Sequence, residues 1–253
     1  MKALTSTLLL AVLVACAACD DDEVVATGMT SDLTVEFEGV VGDAPLALEA
    51  ETYDAAGVAE GFRISRLSFF VSDVELLSET ADGELGTDVA EIGYVEVGLD
   101  GTGDLNLSGV PNGEYVGLRF NLGLTDEQDA LQPADFAAGH PLSEPAEYWV
   151  DWGSYIFLKV EGRADTLADG NARFDQGFVY HIGKAAEYTR RLDIRMPISV
   201  AGGASATGIT VDVETLLGLR SAEPLSLTGA ADHRNTAAER IMANAGSAFR
   251  RRD

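Results

Sequence analysis

The chain predicts an antiparallel β-sandwich closed by one terminal helix. Three observations carry that reading. Short runs alternating apolar and polar residues recur along most of the sequence, and turn residues punctuate them. Helical periodicity is confined to the last stretch. No repeat of solenoid or propeller length interrupts the pattern.

The first nineteen residues, MKALTSTLLLAVLVACAAC, read as an export leader. Lys2 gives a positive start, Leu8 to Val14 an apolar run too short to span a bilayer, and small residues follow. Leu13-Val14-Ala15-Cys16 has the form of a bacterial lipobox, so residues 1–15 are expected to be removed and Cys16 to carry lipid. Ala17 after Cys16 avoids the acidic residue associated with inner-membrane retention, which points to an outer-membrane anchor, on its periplasmic or cell-surface side. Residues 16–32, rich in aspartate, then form an acidic tether. Cys19 is the last cysteine, so residues 33–253 contain neither disulfide nor thiolate. Those about 220 residues suffice for one domain held by its core.

The strands follow in order. LTVEFEGVVG places Leu33, Val35 and Phe37 on one face. FRISRLSFFVSDVELLS (62–78) predicts two strand-length runs around a bulge at Ser68 to Ser72. DGELGTD predicts a hairpin loop, IGYVEVGL a strand, and LDGTGDLNL a connection. In GVPNGEYVGLRFNLGL (109–124) a tight turn at Pro111-Asn112-Gly113 opens an alternating strand. Residues 125–147 show no strand pattern, and a connection that long is functional or partly helical. It leads into YWVDWGSYIFLKVEG (148–162), whose strand sets Tyr155, Phe157, Lys159 and Glu161 on one face and Ile156, Leu158 and Val160 on the other. FDQGFVYHIG, RRLDIRMPISV and GITVDVETLLGL predict further strands. The terminal helix, 235–250, has a capping box in Thr236 and Glu239, an apolar face of Ala238, Ile241, Ala245 and Phe249, and arginines at its C-terminal end.

A formal charge of −25, more negative by one without Lys2, excludes a nucleic-acid footprint and electrostatic adhesion to anionic lipid. It suits metal cations, basic partners or simply a solvated surface. Signatures of common enzymes are missing: there is no G-x-S-x-G, H-E-x-x-H, P-loop or dinucleotide fingerprint. The chain therefore reads as a binding protein and not an enzyme. Asp100, Asp104 and Asn106 resemble part of a calcium loop, but Leu105 stands where its glycine belongs. With no thiols in the domain, a copper or zinc site must draw on His140, His181 and His233, on Met29, Met196 or Met242, or on carboxylates. Both tryptophans, Trp149 and Trp152, fall within four residues, either as plugs at the sandwich edge or as part of a site.

The run YWVDWGSYIFLKVEG followed by FDQGFVYHIGK resembles the MbnP family of exported copper-binding proteins. That family shows an aromatic pair, then G-Y-I-F-x-K-x-E-G, then a strand ending F-x-Y-H-I-G. RISRLSFFVSDVEL, PNGEYVGLRFNLGL and AAERIMANAGSAF extend the resemblance, in order, over residues 33 to 249. The chain departs in having two residues between its tryptophans, no second histidine beside His181 and no cysteine after that strand.

The resemblance implies a β-sandwich lipoprotein that binds copper for homeostasis or uptake. It implies a separate di-haem partner, of the MauG-like MbnH kind, that oxidises a tryptophan to kynurenine. Trp149 and Trp152 are then the candidates for modification, Trp149 favoured. His181, His140 and His233 are the candidate copper ligands. The alternative is an adhesion or scaffold lipoprotein with acidic, calcium-bearing loops.

Overall fold

The computed structural model describes residues 28–81, 83–184, 186–228, 231–232 and 237–252. The expected leader, the Cys16 lipid site, His233 and Thr236 lie outside the described residues.

In chain order the strands are β1 (Thr30–Val41), β2 (Ala44–Pro45), β3 (Gly61–Thr80), β4 (Gly83–Glu96), β5 (Thr102–Pro111), β6 (Gly113–Leu122), β7 (Tyr148–Trp149), β8 (Ser154–Asp165), β9 (Gln176–Gly183), β10 (Arg190–Val200), β11 (Ala204–Asp212), β12 (Ala231–Asp232) and β13 (Phe249–Arg251). The α-helices are α1 (Asp126–Asp129), α2 (Val213–Leu216) and α3 (Ala238–Ala248). They form the expected sandwich. One sheet runs β13-β11-β1-β2 with β5 also on β1, and the larger runs β10-β6-β3-β8-β9-β12 with β4 also on β3. Pairing is mostly antiparallel, but β1 runs parallel to β11, and β12 to β9.

Alternation explains the packing. Leu33, Val35 and Phe37 of β1 are buried, and so are Leu192, Ile194, Met196, Ile198 and Val200 of β10, while the residues between them face outward. Phe37, Phe69, Phe120 and Phe249 meet edge to face at the centre, with centroids 5.2 to 6.5 Å apart.

Several boundaries differ from the sequence reading. The 62–78 run is one continuous strand, and its irregularities fall near Ser65 and Asp73 instead of between Ser68 and Ser72. Asp73 takes a positive φ of 48°, and the Asn121 amide donates to its carboxylate at 2.8 Å. Most of DGELGTD is strand, because β4 pairs with β3 from Gly83 onward. DLNL likewise belongs to β5, which pairs with β1. β11 ends at Asp212, whose carboxylate accepts from the Glu214 amide and starts α2.

The terminal helix runs Ala238–Ala248, starting at Ala237 without a side-chain cap. It buries Ala238, Ile241, Met242, Ala245 and Ala248. Phe249 leaves the helix, and Phe249–Arg251 pair with β11. The arginines thus decorate a strand instead of a helix end, and Arg252 pairs with Glu36.

Candidate functional site

β3 organises the site. On one side it pairs with β4; on the other, β8 takes residues 61–69 and β6 takes residues 71–77. The chain leaving β6 and the chain entering β8 therefore meet beside Phe70, whose carbonyl accepts from the Gly123 amide at 2.9 Å. Residues 123–153 bridge that point by crossing the outer face of the larger sheet.

This covering loop has its own apolar contact. Phe70, Leu124, Leu142, Tyr155 and Phe157 form a second buried cluster, with Tyr94, Phe136 and Tyr148 packed against it. It explains why the sequence of β3 at Phe69-Phe70-Val71 is apolar without alternation, since both faces are covered. Short helical turns hold the loop: α1 begins with a Thr125–Gln128 capping box, and three single 3-10 turns follow before β7. Asp129 accepts from the Ser154 hydroxyl at 2.9 Å and the Tyr155 amide at 2.8 Å. Burial nonetheless raises its carboxyl above the ordinary value.

The tryptophans stand on the hairpin that ends the loop. Tyr148 pairs with Tyr155 and Trp149 with Ser154. The Trp149 carbonyl accepts from the amides of Trp152 at 3.0 Å and Gly153 at 2.9 Å. Gly153 has φ of 65°, a conformation that favours glycine. The turn stacks Trp149 on Trp152, with centroids 5.2 Å apart and planes 20° apart. Trp149 also meets His181 edge-on, at 5.7 Å and 70°.

His181 comes from the outer face of β9, in register with Lys159 of β8. Its Nε2–H donates to Oε1 of Glu161 at 2.7 Å. That hydrogen bond holds the Glu161 carboxyl below its ordinary value against the opposing effect of burial, with Arg66 and Lys159 helping. Ala146, Tyr148, Trp149, Asp151, Lys159 and His181 line a cleft of about 330 Å³.

The structure thus brings three of the sequence-predicted residues together: Trp149, Trp152 and His181. His140 is placed differently. It stacks on Phe136 at 4.1 Å, its Nδ1 accepts from the Leu142 amide at 3.1 Å, and it does not line the cleft. Met196 and Met242 are buried in the main core. Asp100 shapes a turn by accepting from the amide and hydroxyl of Thr102. Among the described residues no group of three or more His, Cys, Asp or Glu side chains is arranged to hold a metal. No helix among them is long and apolar enough to cross a membrane.

Sequence reasoning passed over Arg66, Glu147, Lys159 and Glu161. Glu147 is 2% exposed and Lys159 4% exposed, and their charged atoms lie 2.8 Å apart. The signal was a lysine in the middle of an apolar strand, which demands a buried partner.

The sequence model of the family described as MbnP matches residues 30–240. Among solved structures, MbnP from Methylosinus trichosporium is similar in fold, with a TM-score of 0.53 and 15% identity, covering 77% of this chain and 79% of that one. No curated protein matches the chain.

Proposed function

Because the chain belongs to the MbnP family, we propose that it is an exported copper-binding lipoprotein whose metal site is the cleft between Trp149 and His181. It is a binding protein in this reading, buffering or delivering copper and carrying out no turnover of its own. Cys16 would anchor it to the outer membrane, with the acidic tether between lipid and domain.

The observation that carries the reading is the edge-on contact of Trp149 with His181 in an accessible cleft. The donor chemistry fits copper in part. His181 brings an imidazole, the donor type that copper favours. Glu161 fixes that ring through Nε2, the usual way a carboxylate orients a histidine near a metal. A neutral indole is a poor donor, so the described side chains do not complete a coordination sphere. Opening the Trp149 ring to kynurenine would place an aryl amine and a ketone on the cleft wall, adding the donors that indole lacks. A di-haem oxidase of the kind the family resemblance implies would catalyse that step, with dioxygen or peroxide supplying the two oxygen atoms and the formyl carbon leaving as formate on hydrolysis. The stacked position of Trp152 makes it the second candidate for the same oxidation.

Equilibrium copper titration of the purified protein, with and without co-expression of a di-haem oxidase, tests this function. Uptake by the wild type that disappears in His181→Ala is the expected result. Equal and negligible uptake by both proteins under both conditions would overturn it.

A further inference from the structure

We propose that Glu147 is a positioning residue that sets Trp149 against His181, by fastening the end of the covering loop to β3 and β8. The inference rests on the cleft being the binding site, and adds a residue that neither tryptophan nor histidine chemistry requires.

The carboxylate is buried and divided between two cations. Arg66 of β3 donates from Nη2 to its Oε1 at 2.8 Å, and Lys159 of β8 places Nζ 2.8 Å from its Oε2. Lys159 also donates to the Ala146 carbonyl at 2.8 Å, so both residues ahead of Tyr148 are held by one ammonium. Arg66 continues the network to Glu96 of β4 at 2.9 Å. Three strands are thereby tied to the chain just before the tryptophan hairpin.

Two features make this a device for placement. First, Lys159 pairs in register with His181, so the cation gripping the loop and the imidazole facing Trp149 sit on neighbouring strands in one row. Any slip of Glu147 along that row moves Trp149, two residues later, relative to His181. Second, a buried ion pair is a poor source of stability, because desolvation offsets the attraction, and apolar residues of equal volume hold a loop as well. What charges add is direction, because two-sided pairing of one carboxylate fixes its position along and across the strands. Pairing of Tyr148 with Tyr155 and of Trp149 with Ser154 holds the hairpin to β8, and Glu147 extends that hold to β3 at the hairpin's open end.

Selective labelling of histidine and tryptophan allows the Trp149–His181 contact to be read by NMR as a cross-relaxation peak and a ring-current shift, with no metal present. Trp149→Phe identifies the shift. In Glu147→Gln, and in Glu147→Gln combined with Lys159→Met, the peak should be lost. The double variant, which leaves no buried ammonium unpaired, should regain the wild-type melting temperature. Survival of the peak in the double variant overturns the proposal. So does loss of the peak without recovery of the melting temperature, because Glu147 would then only be supporting the fold. A wild type that shows the contact yet binds no copper would instead remove the copper reading and leave the positioning role standing.

Discussion

Trp149 meets His181 edge-on at 5.7 Å, although one belongs to a loop hairpin and the other to a strand of the larger sheet. His140, much nearer to Trp149 in sequence, spends its ring on Phe136 and its Nδ1 on the Leu142 amide. The two histidines should therefore separate cleanly in copper titrations. His181→Ala should abolish the site, and His140→Ala should leave affinity unchanged. Equal loss in both variants would mean that the cleft is not where copper is held.

Glu161 should act on the metal through His181. Second-sphere carboxylates of this kind contribute about 10- to 100-fold to metal affinity. Glu161→Gln should weaken copper binding by a factor in that range while the variant still folds, because the amide preserves size and an acceptor. Isothermal titration of the variant beside His181→Ala gives the comparison.

The contact with His181 also ranks the tryptophans. Peptide mapping after co-expression with the di-haem oxidase should place the two added oxygen atoms, or the kynurenine that follows, on Trp149. Trp149→Phe should then yield protein without the modification. A product oxidised only at Trp152 would reverse the order in which the stacked rings are used.

Much of the fold was legible because alternation was. Leu33, Val35 and Phe37 name their own inner face, and the strand from Phe157 to Glu161 was divided correctly between its two faces, whereas Ile156 lines the cleft beside Lys159 where β8 shifts register against β9. Turn residues misled where they sit inside strands: Gly83, Gly86 and Gly103 lie in β4 and β5, where pairing supplies what propensity does not. The end of the helix was misjudged because Phe249 suits the periodicity of α3 and equally the aromatic core that claims it for β13. At the site, the tryptophans and His181 stood out by residue type. Glu147 and Glu161 did not; Lys159 within an apolar strand signals that a buried partner exists, but Glu147 becomes that partner only when the loop crosses the sheet.

Phe249 offers the direct test of that ending. Its ring lies 5.3 Å from Phe69 and is 3% exposed, between the two sheets. Phe249→Ala should cost about 3–5 kcal/mol in urea unfolding, the usual effect of removing a buried aromatic. A loss near zero would mean that the ring is not packed between the sheets.

Asp129 and Glu161 should respond to acid with opposite signs, and this can be read without any metal. Burial raises the Asp129 carboxyl above 3.8, whereas the His181 hydrogen bond lowers Glu161 below 4.5. For a raised carboxyl, its stability contribution is complete below the unfolded value and is lost as pH climbs through the folded one. Wild type should therefore gain on Asp129→Asn as pH falls from neutral toward 3.8. For a lowered carboxyl, the contribution is complete above the unfolded value and disappears as pH drops through the folded one. Wild type should accordingly lose its advantage over Glu161→Gln as pH falls below 4.5. Taking differences between variants cancels the chain's many other carboxylates, so the two slopes report on the two sites alone. Melting temperatures of the three proteins across that range decide the matter. Slopes of the same sign would mean that the loop anchor at Asp129 is solvated, or that His181 does not donate to Glu161.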